Sequence, residues 1–162
     1  MKIAIISDSH DHLENLRKAI EIAKQNKAEA LIHCGDFCAP FIIDELAEFS
    51  GEVHCVFGNI DDRYLTTKKA EEKENLVLYG NIAKIQLDNK KIFFTHFPDI
   101  ARAFALSGEF DAVFHGHTHE KNKETLNNTL LLNPGEIMGR LGNPSLAIYN
   151  TETNDAEFFD IE

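Results

Sequence analysis

Asp8 and His10, Asp36, Asn59, His96, and then His117 and His119 stand where one short apolar run after another gives out. Carboxylate oxygen, imidazole nitrogen and amide oxygen in one set suit borderline divalent ions such as manganese, iron, cobalt, nickel or zinc, and fit poorly with a calcium cage. Asp8-Ser9-His10 and His117-Thr118-His119 each separate two ligand types by one residue, and in extended backbone that offset points both side chains the same way. Each pair could then grip one ion, so two ions are expected. Taken singly, each residue has a plainer reading, because a lone strand-end His is usually a structural hydrogen bonder and a lone Asp before a helix an N-cap. Capping does not explain a His two residues beyond Asp8 or the paired imidazoles of G-H-T-H. Ligation is therefore the better reading for all seven.

These residues need a frame that brings distant loops together. Lys2 to Ile6 is a β-branched run ending at Ser7-Asp8, and Leu13 to Lys27 places Leu13, Leu16, Ile20 and Ala23 at helical spacing. The unit repeats: a strand from Ala30 to Cys34, a helix from Pro40 to Phe49, and a strand from Val53 to Phe57 ending at Gly58-Asn59. A polar stretch with helical character covers Asp62 to Asn75. Strands are expected at Leu76 to Tyr79, Ala83 to Leu87 and Lys91 to Thr95, with Asp88-Asn89 as a hairpin turn, and a helix at Ile100 to Leu106. Further strands are read at Ala112 to Phe114, Leu130 to Leu132, Leu146 to Tyr149 and Glu157 to Ile161. The count predicts an α/β fold with two mixed β-sheets packed face to face as a sandwich and helices on the outer faces. In open α/β sheets, loops at the carboxyl ends of strands converge on one crevice, which is where the ligand types fall.

A chain of 162 residues is expected to form one domain over residues 1–162. Its formal net charge of -11 weighs against nucleic acid as a partner, since such binding relies on Lys and Arg displacing counterions. Any phosphate substrate would have to meet local positive charge, which a metal centre would supply. No apolar run approaches the roughly 20 residues that span a bilayer, and nothing at the amino terminus resembles a secretory signal. Cys34, Cys38 and Cys55 are odd in number and lie beside apolar residues, which suits reduced thiols and a cytoplasmic location. A homo-oligomer is compatible with all of this.

In order, D-x-H, G-D, G-N-x-D, a strand-end His and G-H-x-H resemble the calcineurin-like metallophosphoesterase superfamily, and the resemblance covers most of the chain. Within it, S-D-S-H-D-H, H-C-G-D, G-N-I-D, G-H-T-H and L-N-P-G-E are similar to the compact prokaryotic YfcE-like phosphodiesterases. The resemblance implies that Asp8, His10 and His119 hold one ion, that Asn59, His96 and His117 hold the other, and that Asp36 bridges them. It implies an enzyme that hydrolyses a small phosphate ester, most readily a diester, by in-line attack of a hydroxide shared between two divalent ions, with manganese or nickel favoured. Asp36, Asn59, His96 and Asp61 are the residues it places in catalysis, Asp61 more as an orienting group than as a proton donor.

Several positions depart from the wider superfamily. Ile60 follows Asn59 where many relatives carry a His that protonates the leaving oxygen, so a dedicated acid is in question. Phe97 replaces a common Gly and narrows one side of the pocket, and Ala39 stands where purple acid phosphatases add a Tyr ligand. His33, His54 and His115 are read as structural; His12 is a candidate for substrate contact at the rim, with Arg140 and Asn133 weaker candidates for phosphate contact. Two rival functions remain: a scaffold similar to the retromer subunit, whose ligand set is degraded where this one is intact, and a nuclease or nucleotide hydrolase, against which stands the lack of a basic stripe with interleaved aromatics.

Overall fold

A computed structural model describes residues 1–162. It opens with β1 (Lys2–Ile6), α1 (Leu13–Gln25), β2 (Ala30–His33), α2 (Ile42–Ala47), β3 (Glu52–Cys55), α3 (Arg63–Ala70) and β4 (Leu76–Leu78). The chain continues through β5 (Ile82–Leu87), β6 (Lys90–Thr95), α4 (Pro98–Ser107), β7 (Ala112–Phe114), β8 (Lys121–Leu126), β9 (Thr129–Pro134), β10 (Ser145–Asn150) and β11 (Asp155–Asp160). One sheet has the order β11-β10-β1-β2-β3-β4, the other β5-β6-β7-β9-β8. Strands β1 to β4 pair in parallel, as do β6, β7 and β9, while the outer pairings β1·β10, β10·β11, β5·β6 and β8·β9 are antiparallel.

Alternation along each central strand produces the layers. Ile3 and Ile5 of β1, Ile32 of β2, Phe94 of β6, Phe114 of β7 and Leu132 of β9 meet between the sheets. Their neighbours face outward: Ala4, Ile6 and Leu31 pack on Leu16 and Ile20 of α1 and Ile43 of α2, and Phe93, Val113 and Leu131 pack on Ala101 and Ala105 of α4. Both faces of both sheets are thus covered along their centres, which is why these strands read as continuous apolar runs instead of alternating ones.

Strand β8 departs from the sequence reading, which left residues 121–126 without a strand. Its sequence is polar and largely exposed because it forms a sheet edge, held by backbone hydrogen bonds to β9 alone. Asn127 and Asn128 join it to β9 with φ of 48° and 66°, a two-residue turn of the type that suits a hairpin. The expected turn at Asp88-Asn89 has the same form, with φ of 47° and 63°. Helix α3 occupies the first part of the polar Asp62 to Asn75 stretch, started by Asp62, whose Oδ1 accepts the Leu65 N–H at 3.0 Å.

Candidate metal centre

Six parallel strands, β1, β2, β3, β6, β7 and β9, end on the same side of the sandwich, and their loops are knit together by the backbone. The Asp8 N–H donates to the Gly35 carbonyl and the His10 N–H to that of Asp36, both at 3.0 Å, while the Gly116 N–H donates to the carbonyl of His96 at 3.2 Å. All seven ligand candidates come together there. Asp8 Oδ1 lies 3.3 Å from Nε2 of His119 and 3.9 Å from Nε2 of His10. Asn59 Oδ1 lies 3.0 Å from Nε2 of His96 and 2.9 Å from Nδ1 of His117. Between the two groups stands Asp36, with Oδ2 3.7 Å from Nε2 of His10 and 3.4 Å from Nε2 of His96. Its other oxygen accepts the N–H groups of Asn59 at 2.8 Å and Ile60 at 3.3 Å, so Oδ2 alone faces both clusters.

The chemistry of these atoms fits cations. Nδ1 of His96 donates to the Cys34 carbonyl at 2.9 Å, which in the neutral ring leaves Nε2 as a lone pair. That lone pair meets two further acceptors, Asn59 Oδ1 and Asp36 Oδ2. Asp8 Oδ1 and His10 Nε2 are buried without any hydrogen-bond partner, an arrangement that costs about 1–3 kcal/mol per group unless something positive satisfies it. The same groups also shift one another's proton affinity. Burial raises the Asp8 carboxyl, but His10, Ser7 and the charges on His96 and His119 outweigh it and hold the group below its ordinary range. Burial likewise raises Asp36, against a larger lowering by His96 and the N–H groups of Ile60 and Asn59. His10 is held above its usual value mainly by Asp8; burial pushes His96 down, but Asp36 and Asp8 raise it overall. Metal cations bound here would compete with protons for these rings.

The backbone here is not extended, which corrects the geometric reading of the two ligand pairs. Asp8, His10, Asp36, His117 and His119 have φ of 55°, 42°, 59°, 73° and 62°, a left-handed region that non-glycine residues enter rarely and at a cost. The pairs converge because the loops are bent into that conformation, and the bend is fixed by the loop-to-loop hydrogen bonds. Gly58 and Gly116 permit the close approach: a Cβ at Gly58 would overlap Asp36 Oδ1, and one at Gly116 would overlap Ser7 Oγ and crowd Asp8 Oδ2.

Asp61 sits beneath the cluster as an organiser. Its Oδ2 accepts the N–H of Gly58 at 2.7 Å and of Asp36 at 3.2 Å, and its Oδ1 accepts that of Cys38 at 2.8 Å. Burial raises this carboxyl despite those three donors, yet both oxygens are committed to the backbone, which suits orientation and leaves no lone proton aimed at a substrate. Phe97 stands edge-on to His96 with ring centroids 5.3 Å apart and lies 5.8 Å from His117, walling the second cluster. Ile60 is exposed at the rim.

The remaining histidines are accounted for locally. His33 accepts the Gly35 N–H at Nδ1 and its Nε2 lies 3.0 Å from Ser9 Oγ, deep in the fold. Nδ1 of His54 is 2.9 Å from the Tyr79 hydroxyl, and Nδ1 of His115 donates to the Gly116 carbonyl at 3.0 Å. His12, read as a rim contact, caps α1 instead, its Nδ1 accepting the Asn15 N–H. Asn133, read as a phosphate contact, is buried and fully used: its amide donates to the Gly116 carbonyl and Thr118 Oγ1, and its Oδ1 accepts the Gly135 N–H. Arg140 has no side-chain partner. One residue escaped the sequence reading. Glu136 is buried with Oε2 2.6 Å from Nδ1 of His119; it closes the L-N-P-G-E run quoted for the resemblance, which gave it no role.

Clusters of carboxylate and imidazole groups that could hold metal, gathered at the strand ends of two packed mixed sheets, are the setting of a metal-dependent phosphoesterase. The model of the calcineurin-like phosphoesterase superfamily domain matches residues 1–154, and the chain belongs to that superfamily. It is 38% identical over 161 residues to a phosphodiesterase of Methanocaldococcus jannaschii, with 96% of each chain covered. The solved structure of an archaeal phosphodiesterase is 36% identical and superimposes with a TM-score of 0.91, covering 99% of each chain. A phosphoesterase from E. coli, YfcE, shares the fold at a TM-score of 0.71 over 100% of both chains with 18% identity.

Proposed function

We propose that this chain is a phosphodiesterase that binds two divalent transition-metal ions, one at Asp8, His10 and His119 and the other at Asn59, His96 and His117, with Asp36 between them. The observation that carries the reading is the position of Asp36 Oδ2, 3.7 Å from one cluster's imidazole and 3.4 Å from the other's. When bound, such ions lower the pKa of water and neutralise charge developing on phosphoryl oxygens. The chain's own residues hold them in register: the Cys34 carbonyl fixes the His96 ring, Asp61 fixes the loop carrying Asn59, and Phe97 excludes water from one side. The mixture of nitrogen and oxygen donors suits manganese, iron, cobalt, nickel or zinc, and the family resemblance favours manganese or nickel among them.

A cleft of about 310 Å³ opens beside His119, lined in part by Thr118, Lys121, Leu141 and Asn143, and offers room for the organic part of a small ester. Three free cysteines and a net charge of -11 support a small anionic substrate met in a reducing, cytoplasmic setting more than a nucleic-acid duplex. No helix is long and apolar enough to cross a membrane. The test is to reconstitute the purified chain with manganese or nickel and offer bis-p-nitrophenyl phosphate, p-nitrophenyl phosphate and cyclic nucleotides. Diester hydrolysis should exceed monoester hydrolysis and stop on chelation. A reconstituted chain inert toward every ester would return the scaffold reading.

A further inference from the structure

His119 differs from the other ring ligands in what stands behind it. His96 leans on a backbone carbonyl and His10 on a thiol, Cys38 Sγ at 3.6 Å from its Nδ1. Behind His119 is a carboxylate. Glu136 is 1% exposed; its Oε2 lies 2.6 Å from Nδ1 of His119, and its Oε1 accepts the N–H groups of Leu141 at 2.5 Å and Gly142 at 2.7 Å. A carboxylate already accepting two backbone donors is the acceptor toward the ring as well, so Nδ1 carries the proton and donates it. Nε2 is then a bare lone pair, and what it faces at 3.3 Å is Asp8 Oδ1, itself buried without a partner.

We infer that Glu136 is a positioning residue that locks His119 in its Nδ1–H tautomer and so keeps Nε2 open to the ion shared with Asp8 and His10. The inference rests on the two-ion reading above. It assigns Glu136 to one ion only, because no contact joins it to Asn59, His96 or His117. Carboxylates placed behind a ligating imidazole raise its basicity as well as fix its orientation, and their loss typically weakens metal binding 10- to 100-fold. The same oxygen pair ties down residues 141 and 142, so a role confined to that strap is the alternative to be separated.

Glu136→Gln separates them. The amide oxygen can still accept from Leu141 and Gly142, which preserves the strap, while the amide NH₂ now donates to Nδ1 of His119 and moves the ring proton to Nε2, against Asp8. Two-bond ¹H–¹⁵N spectra of the metal-free protein, followed upward in pH until the ring is neutral, report the tautomer directly, and calorimetric titration with manganese reports each site. The unaltered protein should show Nδ1–H at His119 and two manganese sites. The variant should show Nε2–H and one site weakened 10- to 100-fold with the other unchanged. An Nε2–H tautomer in the unaltered protein overturns the inference even if the variant does not fold. An unchanged tautomer in the variant, or equal weakening of both sites, overturns it too. Should the unaltered protein take up no manganese, the two-ion reading fails separately, and the tautomer still decides the role of Glu136.

Discussion

Ile60 and His33 show two ways in which one residue governs behaviour. At the rim, an isoleucine stands where an imidazole could have protonated the leaving oxygen, and the two acids considered in its place are engaged elsewhere: both oxygens of Asp61 are bound to backbone, and Nδ1 of His12 caps a helix. General acid catalysis contributes about 10²- to 10⁴-fold and matters most for poor leaving groups. A series of aryl phosphodiesters should therefore show kcat falling steeply as leaving-group pKa rises, and Ile60→His should flatten the slope; a flat slope in the unaltered protein, with chemistry rate-limiting, contradicts this. Deep in the fold, burial pushes His33 down to about 3 from 6.5. The folded ring stays neutral while the unfolded one takes a proton below pH 6.5, so the unfolded state binds more protons and stability falls as pH drops from about 6.5 to 3. The slope due to this group is about 1.4 kcal/mol per pH unit. Urea unfolding of His33→Gln between pH 6 and 4 should show a shallower loss than the parent, whereas parallel curves would contradict the assignment. The seven ligand candidates were legible because their types recur at strand ends. Glu136 was not, since an acid after a Gly turn looks like any solvated loop residue until its burial is seen.

At the scale of elements, the central strands were legible and the edges were not. β1, β2, β6 and β9 are apolar on both faces and announce themselves, whereas β8, Lys-Asn-Lys-Glu-Thr-Leu, offers only Leu126 to the core and forms because β9 lies beside it. Helix ends shifted for similar reasons: α1 was read to Lys27, but Lys27 has φ of 61° and turns the chain back toward β2. The loops after the strands were legible in composition but not in conformation, because left-handed φ at Asp8, His10, Asp36, His117 and His119 is imposed by contacts between distant loops. Those contacts leave no room beside Gly116. Gly116→Ala should cost about 1–3 kcal/mol by overpacking and reduce metal content, because the new methyl meets Ser7 and Asp8. Gly142→Ala, where a Cβ meets nothing within 4 Å, is the control and should leave urea unfolding unchanged. Equal behaviour of the two variants would mean that the loop yields.

For the whole molecule, the site is a buried polar junction between the two sheets, apart from the ion pairs that tie β8 to β11 at their edges. One sheet supplies Asp8, His10, Asp36 and Asn59, the other His96, His117 and His119, and the His117 N–H already crosses to Asp8 Oδ2 at 3.1 Å. On the reading proposed above, two ions with a combined charge of about +4 against two carboxylates would leave the site positive on a chain of net charge -11 and let an acidic protein hold a phosphate ester. Ions bound only by the folded state also stabilise it, by about 2.7 kcal/mol per site at a free concentration one hundred times Kd. All of this depends on Asp36 serving two ions at once. Asp36→Asn keeps the oxygen that accepts the Asn59 and Ile60 N–H groups and removes the shared negative charge. The deciding measurement is elemental analysis of the manganese-reconstituted protein and of this variant, with diester hydrolysis followed on the same samples. Close to two ions per chain in the parent, at most one in Asp36→Asn, and a rate reduced by about 10³ or more are expected. Fewer than one ion per chain in a fully active parent, or two ions and full activity in the variant, would contradict the account.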